Sequence, residues 1–371
     1  MKQFFLSLAF CVIVTSLFAT VRTVSNFPAT IAQFNNIQAA VDASVDGDTV
    51  YVHGSPNQYA SFDLVNKRLV ILGPGFAPDK QLPFEAVINT DVIVAGVNGI
   101  DLSGVGASGS EIQGVTLVGG TGIRINTSGI DNLKFFRLHN AACPIVFTSA
   151  PGTFTGYLFE SCMFNNSQVR SDNPTVHNFV NFLFHNNIFF ENGTVVGANI
   201  SGFFNTSSVL FDHNLWYGPG SGSRDCFAGT CRFLTITNNV FVRRNAATQN
   251  SSSTFNNNIT FNTSNNTPWA SNGNVNSGGN VDNQDPQMVD EAAVDAGSLN
   301  GTGDFTIAAG PANNSGADGK DMGLLYDVTG SVNWTNVRNS RLPRVFSMNV
   351  VSPTVPAGGN VTINVESRIS N

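Results

Sequence analysis

The chain has 371 residues and a formal net charge of −7, and only 12% of its residues are charged. That is about half the usual charged share, and with no basic run longer than Arg243-Arg244 it excludes binding nucleic acid through a basic surface. The length allows one large or two ordinary domains, and Asn, Ser, Thr and Gly supply the polarity, which suits a β-rich extracellular protein.

Lys2 precedes an uncharged run from Phe4 to Phe18 that contains Cys11. The run reads as the apolar centre of a signal peptide over residues 1–20, too short to span a bilayer comfortably. Nothing later reads as a membrane span, so the expectation is a secreted or cell-surface protein. Residues 21–330 read as one domain. Within 34–59, "FNNIQAAVDASVDGDTVYVHGSPNQY", residues Ile37 to Val45 predict a helix with Ile37, Ala40 and Val41 on one face. "DGDTVYV" then predicts a turn and a first strand.

Downstream, "FHNNIFFENG", "FDHNLWYGPG" and "ITNNVFVRRN" are versions of one fragment. Taking Asn187 as anchor gives Asn214, Asn239 and Asn258 as equivalents, about 19–27 residues apart, a period that signals a solenoid. Apolar residues stand three before the anchor (Phe159, Phe184, Phe211, Ile236, Phe255) and mostly two after it (Phe164, Phe189, Trp216, Phe241). An odd separation puts side chains on opposite faces of an unbroken strand. Both columns point inward only if the chain bends at the anchor, so the anchor is a corner. Asn tolerates left-handed backbone angles, and stacked corner Asn side chains predict a ladder of amide hydrogen bonds. Asp212-His213 is not expected to act as a dyad, since neighbours in a strand point apart.

The coil pattern "NFLFHNNIFFENG", the entry 34–59 and the closing stretch "DPQMVDEAAVDAGSLNGTGDFTIAAGPANNSGADGKDMGLLYD" (285–327) resemble the secreted right-handed parallel β-helix proteins of the pectin lyase-like fold. The resemblance covers roughly residues 30–330 and implies an all-β solenoid of roughly ten coils, about 50 Å long, with a capping helix at its start. That family mixes enzymes and non-enzymes, so fold alone assigns no activity. Its lyases need clustered acids for calcium and a base, and related hydrolases need paired carboxylates. Between Asp131 and Arg244 the acids are scattered one per coil or fewer. Asp285, Asp290, Glu291, Asp295, Asp304, Asp318 and Asp321 gather late, inside the closing stretch. They read as turns and end closure, and calcium is the one ion they would suit; no other cofactor is expected.

The remaining enzyme candidates are Glu191, Arg243 and Asp225. Glu191 and Arg243 share a register two coils apart, hence roughly 10 Å, a spacing suited to flanking a ligand. Arg224 and Arg243 with Phe190 and Tyr217 form the candidate ligand-binding set. Phe190 and Tyr217 belong to outward apolar columns (Met163, Ile188, Leu215, Val240, Ile259 and Phe190, Tyr217, Val242, Phe261) that need a cover: the chain's own tail, another copy, or a glycan. Cys226 and Cys231 flank "FAGT" and predict a local disulfide in an oxidising compartment. Residues 331–371 change composition and carry two alternating runs, Val345–Val351 and Asn360–Glu366. Two strands alone are marginal, so this extension is expected to dock on the solenoid or to mediate self-assembly. The leading function is a non-catalytic extracellular β-helix that binds carbohydrate or a surface protein. The alternatives are a polysaccharide lyase or glycoside hydrolase of the same fold, and a structural filament subunit.

Overall fold

The computed structural model describes residues 19–76, 84–93, 99–191, 198–218, 224–298, 301, 303–325 and the backbone of 344–350 and 363–368. The run 1–18, and with it most of the expected signal peptide, lies outside the described residues.

The chain is a right-handed parallel β-helix. Three parallel sheets run along it: sheet A with 12 strands, sheet B with nine (9) and sheet C with seven (7). A coil visits A, B and C in turn. The coil of Leu158–Glu160 (A), Met163–Asn165 (B) and Val169–Ser171 (C) is followed by one built from His177–His185, Ile188–Phe190 and Ile200–Ser201. The starting end is closed by a helix over Ile37–Ala43, which buries Ile37, Ala40 and Val41. Asn36 caps it by accepting from the Ala39 N–H at 2.8 Å. The helix stops two residues short of the expected Val45 because Ser44 has extended backbone angles. Gly47, at φ 88°, then turns the chain into the strand Thr49–Val52.

The A-to-B corner follows from the doublets in the sequence. The first member of each, Ser161, Asn186, His213, Asn238 or Asn257, is left-handed, with φ between 50° and 58°. The second points inward. Asn187 donates its backbone N–H and its amide to Asn214 Oδ1, each at 3.0 Å. Asn214 does the same to Asn239, Asn239 to Asn258, and Asn258 to Asn280. The amides of Asn187 and Asn214 also reach Phe159 O and Phe184 O, both at 2.9 Å. A buried polar column is thus hydrogen-bonded along the axis, as burial demands. Asn280 is a rung that the repeat in the sequence did not reveal.

The bend brings both apolar columns inside. Phe135, Phe159, Phe184 and Phe211 stack in succession with centroids 4.4–4.9 Å apart. Phe164, Phe189 and Trp216 stack beside them at 5.0 and 3.9 Å. Stacking at the strand spacing explains the abundance of Phe: each ring lies on its equivalent in the next coil. Trp269, in the turn Pro268–Ala270, packs against Phe255 near the last coil.

The late acidic stretch runs back along the outside of sheet B. Met288, Val294, Phe305, Ile307, Ala312, Met322 and Leu324 form a second apolar cluster with Met163, Ile188, Phe190, Leu215, Tyr217, Val240, Val242 and Ile259. The left-handed corner residues hold this strap from outside. Asn186 Oδ1 accepts from the Leu325 N–H at 2.8 Å, Asn238 Oδ1 from the Ala317 N–H at 2.7 Å, and the Asn257 amide donates to Ser315 O at 2.8 Å. His213 Nδ1 lies 3.1 Å from Gly323 O. Gly323 makes the approach possible, since a Cβ there would stand 2.7 Å from Val240 Cγ2. From Asn186-Asn187 to Asn257-Asn258, each corner doublet therefore has one residue for the ladder and one for the strap. The cover of the outward apolar columns is this strap, over 285–325. Of the extension, Arg344–Val350 and Ile363–Arg368 pair as an antiparallel hairpin.

Candidate functional site

The sequence grouped Glu191, Arg224, Asp225 and Arg243 into one site; the structure divides them. Glu191 and Arg243 do share a register, one coil either side of Gly218, but Arg243 is left-handed (φ 53°). Its side chain turns outward to the strap. Nε donates to Gly218 O at 2.6 Å, and Nη2 donates to Tyr217 Oη at 3.0 Å and to Asp295 Oδ1. Glu191 pairs instead with Arg244, which comes from two coils away, at 2.8 Å, and both side chains are fully buried. Gly218 leaves the room for this: a Cβ there would stand 3.3 Å from Arg244 Cδ. Arg244 also donates to Asn199 Oδ1 at 2.6 Å and to the backbone carbonyl of Asp225 at 2.7 Å. Arg224, partly exposed, stands 3.7 Å from Glu191 Oε1. Burial pushes the Glu191 carboxyl above its ordinary range even with Arg244 and Arg224 pulling it down. Asp225 contributes its backbone to this cluster. A carboxylate whose side chain is sealed from solvent offers a substrate no access, so Glu191 and Arg244 read as a buried structural pair.

Phe190 and Tyr217 stack with centroids 5.9 Å apart, but both are buried under the strap. The closed molecule gives a glycan no ring there. The Tyr217 hydroxyl, pushed up by burial and by its bond to Asp295, is held by Asp295 and Arg243. The predicted disulfide is corrected as well. Cys226 and Cys231 are both buried free thiols, each pushed up to about 12 by burial. The intervening residues Phe227–Ala228 are spent on a strand of sheet C, which sets the cysteines apart in the coil. Cys143 and Cys162 are also free and buried. Among the described residues no group of three or more His, Cys, Asp or Glu is placed to hold a metal ion, and the late acids serve the strap.

Asp212 and His213 do not point apart as expected, because His213 is the left-handed corner residue beyond the strand (φ 53°), and the Asn238 amide nitrogen stands 2.9 Å from Asp212 Oδ1 and 3.1 Å from His213 Nε2. Asp212 Oδ2 lies 3.3 Å from His185 Nδ1, while His213 Nε2 faces Asp318 Oδ2 at 3.4 Å.

The outward face of sheet C carries a row that sequence reasoning missed. Register places Asp63 beside Asp101, Asp101 beside Arg124, Arg124 beside Val146, Val146 beside Arg170, and Arg170 beside Ser201. Arg124 Nε lies 3.4 Å from Asp101 Oδ1, with 36% of the arginine side chain exposed. Arg170 is 40% exposed and pairs with Asp172 at 2.6 Å. Asn126 and Thr148 hydrogen-bond each other alongside. Burial, the neighbouring Asp101 and Asp42 push the Asp63 carboxyl up, with Arg124 opposing. Asp101 is also raised, by burial. Asp63 and Asp101 are 38 positions apart in the sequence, so only the coil register brings them together. In-register neighbours across one strand spacing stand about 5 Å apart, close to the separation of the carboxyls in retaining glycosidases.

No protein-family model matches the chain, and no curated protein matches it in sequence. Among the described residues no helix is long and apolar enough to cross a membrane.

Proposed function

We propose that this protein is an extracellular, non-catalytic β-helix of the pectin lyase-like kind that binds carbohydrate at the cell surface along the outer face of sheet C. The observation that carries the reading is the row Asp63, Asp101, Arg124, Arg170 and Ser201. It presents donors, acceptors and both signs of charge on strands about 4.8 Å apart, interrupted once by the buried Val146 between Arg124 and Arg170. Carboxylates and guanidinium groups suit hydroxyl-rich and carboxylated sugars respectively, and an extended polymer can meet the same chemistry at successive coils. Sheet B is roofed by the strap, and the sealed Glu191–Arg244 pair supports no catalysis there. Binding of acidic and neutral oligosaccharides to the intact protein tests the reading. Arg124→Ala and Arg170→Ala should each weaken binding of the preferred oligosaccharide about tenfold, since a charge-assisted hydrogen bond contributes about 1.5–3 kcal/mol. Wild-type affinity in both variants would reject the site.

The Asp63–Asp101 pair favours a second reading, glycoside hydrolysis at the starting end of the same row. New reducing ends from the bound oligosaccharide that vanish in Asp63→Asn and Asp101→Asn would establish it. Binding without cleavage keeps the first reading.

A further inference from the structure

Between the first strand, Val21–Val24, and the capping helix the chain makes a loop whose ends are tied together. The Phe34 N–H donates to Thr23 O at 3.0 Å, and the Ser25 N–H donates to Phe34 O at 2.9 Å. Thr23 and Gln33 bond reciprocally: the Thr23 N–H donates to Gln33 Oε1 at 3.2 Å, and the Gln33 N–H to Thr23 Oγ1 at 3.0 Å. Asn26 pins the other side by donating to Gln58 O at 2.9 Å and accepting from the Ser55 hydroxyl. Phe27 packs edge-on against Phe84 with centroids 5.8 Å apart, and Phe34 packs against the core. A compact loop with its ends closed and its side chains packed holds a fixed shape. This one encloses a cavity of about 570 Å³, a size typical of small-molecule sites. Phe27, Pro28 and Phe34 supply apolar wall, and Thr30, Gln33 and Asn35 supply polar groups. Gln33 Oε1 is engaged by the Thr23 N–H and Asn35 Oδ1 by the Asn36 amide at 2.9 Å. Both oxygens being used, the two exposed side chains offer their NH2 groups as donors. None of the described residues lining the cavity is charged.

We propose that this loop, at the starting end of the solenoid, is a binding site for one neutral sugar residue, separate from the sheet C row and independent of it. A sugar ring has an apolar C–H face and a rim of hydroxyls. The walls of Phe27, Pro28 and Phe34 take the first out of water. The amides of Gln33 and Asn35 and the Thr30 hydroxyl meet the second. A carboxylated or phosphorylated ligand would give up its hydration here with no cation to receive it, which is costly. The site therefore selects against charge, whereas Arg124 and Arg170 on sheet C select for it. A wholly apolar ligand would cover the two amides and leave their donors without partners. A neutral ring bearing hydroxyls satisfies both surfaces.

The test is ligand-observed NMR titration of the full chain with a panel of neutral hexoses and N-acetylhexosamines, with the matching uronic acids as the charged comparison. At least one neutral sugar should bind, and its uronic acid about tenfold more weakly or not at all. Ala32→Trp, which fills the cavity from its own wall, should abolish binding. Asn35→Leu, at an exposed side chain, removes one donor and should weaken binding about fivefold, which keeps the test decisive if the tryptophan variant misfolds. The double variant Arg124→Ala/Arg170→Ala should bind the neutral sugar as the wild type does, so a failure of the sheet C reading and a failure of this one are told apart. Absence of binding by every neutral sugar in the panel overturns the proposal. So does equal binding of the uronic acid, binding unchanged in Asn35→Leu, or binding lost in the double arginine variant.

Discussion

Asn214 sits at the centre of the ladder, donating to Asn239 and accepting from Asn187. Replacing it by Ala removes the acceptor for the Asn187 backbone and amide and the donor for Phe184 O. Several buried groups are left without partners, each costing about 1–3 kcal/mol, so Asn214→Ala should destabilise by about 3–5 kcal/mol in chemical denaturation. Arg244→Ala strands a buried Glu191 and should cost a similar 3–5 kcal/mol. The double variant Glu191→Leu/Arg244→Met, which removes both charges, should recover much of that loss. Equal losses in the single and double variants would mean that the pair acts through packing alone. Asp63 gives a pH-dependent case. Its raised carboxyl means that stability present at acid pH is lost as pH rises through the raised value. Asp63→Asn should therefore raise the melting temperature near pH 7 and do little near pH 4, and an unchanged melting temperature at neutral pH would contradict the crowding of Asp63 with Asp101.

At the scale of elements, the sequence was legible wherever a feature repeats. The period of the corner doublets located the A-to-B bend, the ladder and the inward aromatic columns. The helix at Ile37 showed its buried face through the spacing of Ile37, Ala40 and Val41. What repetition could not show was contact between distant stretches. The outward columns were readable as a surface needing cover. Nothing in residues 285–325 marks them as that cover, because their apolar residues follow no period and match sheet B only in three dimensions. Arg243 and Arg244 show the same limit. Register put Arg243 opposite Glu191, but one left-handed residue at the corner exchanged the roles of the two arginines. Asp63 and Asp101 were missed because the loop between them varies the coil length. The strap itself gives a prediction: Phe190→Ala should cost about 3–5 kcal/mol and raise hydrophobic-dye binding, since it opens a hole beneath Gly301 and beside Tyr217. A loss below about 1 kcal/mol would mean that the strap grips the strip loosely.

For the whole molecule, the three sheets divide the labour. Sheet A, with the ladder at its corner, carries the axial stacking. Sheet B is buried twice, by the aromatic core within and by the strap outside. Sheet C carries a charged row, partly exposed at Arg124 and Arg170 and broken between them by the buried Val146. The claim that this row is the binding face is tested most directly by covalent footprinting of the full-length protein with and without its preferred oligosaccharide. Binding along sheet C predicts protection confined to Asp63, Asp101, Arg124, Arg170 and their neighbours on successive coils, with sheet A and the strap labelled as before. Protection centred on the strap or sheet A, with the sheet C row labelled equally in both states, would contradict it.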